Sequence, residues 1–135
     1  MTIFPNTSFL RSALLADAVA SGATGLLMAA LATTLAGLLD VPAALLFWAG
    51  VVLLPYTALL VFLATRDQLP HWTVWVVIVS NVLWAVDCVV LTMSGRIEPN
   101  ALGTAFILVQ ALVVGGFAEL QFVALRRIGT QQRYA

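Results

Sequence analysis

Residues 80–127 read SNVLWAVDCVVLTMSGRIEPNALGTAFILVQALVVGGFAELQFVALRR. Two long apolar runs are hinged at Ser94-Gly95-Arg96-Ile97-Glu98-Pro99. Each run carries groups that lipid tails cannot satisfy: Asn81 and Asp87 in the first, Gln110 and Glu119 in the second. Ionisable groups inside a membrane span are costly and mark functional sites by default. The stretch therefore predicts two membrane helices joined by a tight turn, with a polar site between them.

The rest of the chain has the same character. Of its 135 residues, 62% are hydrophobic and 9% charged, and its mean hydropathy is +1.05. A soluble domain carries roughly 25% charged residues, so most of this surface faces something other than water. The length suits one domain, residues 1–135. There is no Lys, the formal net charge is zero and no basic run exists, so nucleic acid is not an expected partner. The single Cys88 excludes an intramolecular disulfide or a multi-cysteine metal site and reads as a small buried hydrophobe.

Taken in order, residues 1–8 form a short interfacial lead in which Asn6, Thr7 or Ser8 caps the helix that follows. The first apolar segment covers about residues 9–39, longer than the roughly 20 residues a span needs. Asp40 reads as an N-cap and Pro42 as a first-turn residue of a second span over about 43–65, with Pro55 inside it. Arg66-Asp67-Gln68-Leu69-Pro70 is a polar turn. A third span follows over about 71–93, with Trp72 and Trp75 at interfacial positions. The fourth covers about 100–125. The expected fold is an all-α, integral membrane four-helix bundle with up-down-up-down topology, sequential helices packing as antiparallel neighbours. Arg11, Arg66, Arg126, Arg127 and Arg133 lie at one end and Arg96 at the other. The positive-inside rule then puts both termini in the cytoplasm.

Depth follows from a rise of about 1.5 Å per residue. Asp17, Tyr56, Asn81 and Glu119 fall in one layer in the cytoplasmic half, with Asp17 and Glu119 on the adjoining first and last helices. Asp87 and Gln110 fall in a second layer, where a hydrogen bond between them satisfies both. Helical phase puts Asp17, Ser21, Thr24 and Met28 on one stripe, and Ser80, Trp84, Asp87 and Leu91 on another. The fourth helix has two polar faces, one with Gly115, Gly116 and Glu119, the other with Gln110, Phe117 and Gln121. The expected intramembrane polar site is thus Asp17, Ser21, Tyr56, Asn81, Trp84, Asp87, Gln110 and Glu119. Gly115-Gly116, Ala18/Gly22 and Ser21/Gly25 read as close helix contacts. His71 is the only histidine, so no metal and no cofactor is expected, and no nucleophilic, metal or phosphate-loop constellation points to an enzyme.

Leu83-Trp84 with Asp87, Pro99 to Phe106, Gln110-Ala111, Ala118-Glu119-Leu120-Gln121 and Leu125-Arg126-Arg127 resemble a group of small four-span bacterial inner-membrane proteins without an assigned activity. Leu54-Pro55-Tyr56 and Ala16-Asp17-Ala18 with Ser21-Gly22 fit the same group. The resemblance implies a multi-pass protein of the bacterial inner membrane. Two functions fit the residues. One is a non-catalytic membrane protein that packs with itself or with a larger membrane complex. The other is a small proton-coupled secondary transporter using its membrane carboxylates. What separates them is whether those carboxylates face a cavity or are fully hydrogen-bonded.

Overall fold

An apolar segment in lipid must satisfy its own backbone, and helices do this within one segment. The computed structural model, which describes residues 3–134, follows that rule. Met1, Thr2 and Ala135 lie outside the described residues, so two residues of the expected lead are not placed. The elements are β1 (Ile3–Pro5), α1 (Ser8–Ala30), α2 (Ala32–Leu39), α3 (Ala43–Ala64), β2 (Gln68–Pro70), α4 (His71–Met93) and α5 (Ala101–Tyr134). Helices α1, α3, α4 and α5 are long and apolar enough to cross a membrane, so the chain is a multi-pass membrane protein. At about 1.5 Å per residue, α1, α3 and α4, with 22 or 23 residues each, match a hydrocarbon core of about 30 Å, and α5 is longer than that core. Large apolar side chains stay exposed along all four, among them Val19, Trp48, Val79 and Leu112, as a lipid-facing surface requires.

Several expected boundaries shift. The segment over 9–39 is not one helix. It breaks at Leu31 (φ −114°, ψ 27°), although no Gly or Pro stands there. The cause is tertiary: α2 turns to pack on α3 and α5, burying Ala32 and Leu39 with Met28, Val41 and Leu46. Asp40 is not an N-cap. It ends α2 in the left-handed region (φ 53°), a conformation Asp tolerates better than most residues. Pro42 takes the N-cap position of α3. That helix continues through Pro55. The helix of the fourth span continues past residue 125 to Tyr134.

The interfacial lead is also more ordered than its composition suggests. β1 pairs antiparallel with β2, and Phe4 and Leu69 are both buried there. Asn6 then clamps the end of α3. Its amide donates to the carbonyls of Leu63 (3.2 Å), in the last turn of α3, and Arg66 (2.8 Å), just beyond that helix. Thr7, of the three capping residues expected, accepts from Leu10 N–H at 3.2 Å. Asn100 does similar work at the other end. Its carbonyl accepts from Gly103 N–H (2.8 Å) and its amide donates to Leu38 O (2.7 Å).

Packing is uneven around the bundle. α1 lies along α3 and α4 along α5, while α1 with α5 joins the two pairs. α3 and α4 are sequential, yet their backbones stay apart and they meet through side chains such as Tyr56 and Asn81, against the expected close packing of every sequential pair. The α1–α3 contact is close because two glycines meet. A Cβ on Gly50 would stand 2.6 Å from Ala29 N and 2.7 Å from Gly25 O. The expected contacts through Gly22 and Gly25 are thus made, against α3. A Cβ at Gly115 or Gly116 would meet no atom of the described residues within 4 Å, so the close helix contact expected of them is not made among those residues.

Candidate functional site

Midway along α1, Asp17 is 1% exposed. A carboxylate taken out of water needs its oxygens occupied by donors. All four spans contribute. Ser21, one turn on, donates to Oδ1 at 3.0 Å. Asn81 of α4 donates to Oδ2 at 2.7 Å, and Gln121 of α5 donates to the same oxygen at 2.8 Å. The second Asn81 N–H reaches Gln121 Oε1 at 3.0 Å. The Tyr56 hydroxyl of α3 stands 3.2 Å from Asp17 Oδ2 and 3.0 Å from Asn81 Oδ1. With one proton, it can donate to only one of these at a time. Asn81 and Gln121 are 2% and 0% exposed. The arrangement ties one residue of each span to one carboxylate, with no cationic side chain in the set.

Glu119 takes no part in it. It is exposed, so although its depth matches that of Asp17, it does not join the buried carboxylate. Gln121 stands in its place. Two residues along a helix rotate the side chain by about 200°, so Glu119 and Gln121 cannot both face inward. The face that faces the bundle is the one carrying Gln110, Phe117 and Gln121. Spacing from Gln110 and Phe117 puts Gln121 on that face, and its neutral amide both donates to Asp17 and accepts from Asn81.

Beside the Asp17 network lies a cavity of about 460 Å³. Ser21 and Thr24 of α1, Tyr56 of α3, Asn81, Trp84 and Asp87 of α4, and Phe106, Gln110 and Phe117 of α5 all line it. The two stripes read from helical phase supply much of this wall. Val52, Leu83 and Val109 also line it and are 56–58% exposed, so the space communicates with the outer, lipid-facing surface. A smaller cavity of about 200 Å³ adjoins it, sharing Trp84, Asp87, Phe106 and Gln110.

The second expected layer is wired differently from the sequence reading. Asp87 and Gln110 do not hydrogen-bond. Gln110 Oε1 accepts instead from the Trp84 indole N–H at 3.3 Å. Trp84 precedes Asp87 by three residues and so shares its helix face, which lets the indole take the amide oxygen. Asp87 is exposed on the cavity wall and has no hydrogen-bond or ion-pair partner among the described residues. The ion pair found among them is Arg11–Asp67, 3.6 Å apart at the β1–β2 end. Cys88 is buried and free. His71 is exposed and meets Phe4 edge-on, ring centroids 5.8 Å apart. No group of three potential metal ligands occurs among the described residues.

Comparison with protein-family models, curated proteins and solved structures finds no match to this chain.

Proposed function

We propose that this chain is a small, non-enzymatic membrane carrier that binds a small amphipathic molecule in its intramembrane cavity. The observation that carries the reading is the cavity itself. It is walled by all four spans, its volume lies within the range of about 300–1,000 Å³ typical of ligand sites, and it has an apolar, aromatic lining with few polar groups. Its position supports carriage, since ligand sites in small carriers lie between helices near the middle of the bilayer. The Asp17 network acts as the fixed point of the bundle, and the α3–α4 side, where the two backbones stay apart, is where the walls can move. The asymmetry of its arginines supports both termini in the cytoplasm, and the resemblance to small four-span proteins supports the bacterial inner membrane.

Native mass spectrometry from mild detergent with the uncharged probe phenylbutanol tests this. A saturable one-to-one adduct is expected for the parent chain, and its loss in Val109→Trp, which fills the cavity from an exposed position. Adducts that never saturate and ignore the substitution would remove the cavity reading.

A second reading rests on α5. Glu119 is exposed, and Gly115 and Gly116 are open, all within a membrane span. A second copy or another membrane protein covering this face would give Glu119 a partner and the glycines a close neighbour. The same spectra report the number of subunits. A monomer at every protein concentration would leave self-association without support.

A further inference from the structure

We propose that the molecule this cavity takes is an organic cation with an apolar body, its positive charge set against Asp87. The inference rests on the cavity being a binding site and adds the chemistry of what binds there. Asp87 lies six residues before the end of α4 at Met93, about 9 Å inside that end. It lines both cavities, yet neither an arginine nor a hydrogen-bond donor of the described chain satisfies it. The chain has no Lys, and none of its arginines lines either cavity. An isolated carboxylate at this depth is costly unless a counter-charge meets it. Asp17 shows the alternative: four donor groups from the chain surround it. Asp87 has none, so its counter-charge comes from outside the chain.

The rest of the wall fits the same class of ligand. Trp84, Phe106, Phe117 and Tyr56 bring aromatic rings to the cavity from three helices. Ring faces attract cations, quaternary ammonium groups in particular, and do so most strongly away from water. The axial distance from Asn81 to Asp87 is six residues, about 9 Å. Over that length the wall offers apolar contact to a ligand's body, between the saturated Asp17 network at one end and the open carboxylate at the other.

The test compares phenylbutyltrimethylammonium with its uncharged isostere, in which a quaternary carbon replaces the nitrogen. Both are titrated by calorimetry against the full chain in lipid nanodiscs, with empty nanodiscs subtracted. The cation is expected to bind at least about tenfold more tightly than the isostere. Asp87→Asn should erase that preference, and Asp87→Glu should keep it. An unchanged unfolding midpoint in sodium dodecyl sulfate shows that each variant still folds. Equal binding of the two probes to the parent, or a preference that survives Asp87→Asn, overturns the cation inference while the cavity reading stands. Failure of both probes to bind overturns the cavity reading itself.

Discussion

Two carboxylates on this chain have opposite surroundings. Asp17 is enclosed and takes donors from all four spans. Asp87 stands exposed on a cavity wall without a partner. The same chemical group is thus a structural centre in one layer and an open site in the next. The difference teaches that an acid inside a membrane protein says little by its presence. What it does depends on how many donors the neighbouring helices bring to it.

Exchanging each acid for an apolar residue should break the comparison most sharply. Asp17→Leu leaves Ser21, Tyr56, Asn81 and Gln121 without their common acceptor, and unpaired buried polar groups are expensive. It should destabilise the fold by about 2–4 kcal/mol. Asp87→Leu removes no hydrogen bond or ion pair among the described residues and should change stability by no more than about 0.5 kcal/mol, or raise it. Unfolding by sodium dodecyl sulfate in mixed micelles reads both. Similar losses for the two variants would show that the acids are not in different roles.

Double-mutant cycles sharpen the same contrast on a smaller scale. Asn81→Ala with Gln121→Ala should be non-additive by about 0.5–1.7 kcal/mol, the upper part of the range for side-chain bonds in membrane bundles. Asp87→Ala with Gln110→Ala should add within about 0.3 kcal/mol, since Gln110 is engaged by Trp84 instead. Coupling in the second cycle would restore the pairing that the matching depths suggest.

Those depths and the spans were readable because they depend on quantities local to each helix. Hydrophobic length places α4 at residues 71–93 and α3 within one residue of its expected end. Periodicity assigns Asp17 and Ser21 to one stripe, and Trp84 and Asp87 to another. The rotation of each helix about its own axis depends on its neighbours, and that was not readable. α5 has two polar faces, and the sequence carries no sign that Gln121 rather than Glu119 turns inward. The break at Leu31 has the same origin, because α2 bends to reach α3 and α5 rather than because of any residue at the break. The β1–β2 pairing joins segments more than sixty residues apart, each only three residues long, too short for a pattern to show.

The most direct test of the contrast is chemical access to the two positions. Asp17→Cys and Asp87→Cys, each in a Cys88→Ala background, are treated with N-ethylmaleimide in native membranes, with Ala18→Cys as a second probe of the enclosed layer. The account predicts fast labelling at position 87 and protection at positions 17 and 18 until the protein is unfolded. Equal labelling at all three positions would contradict it.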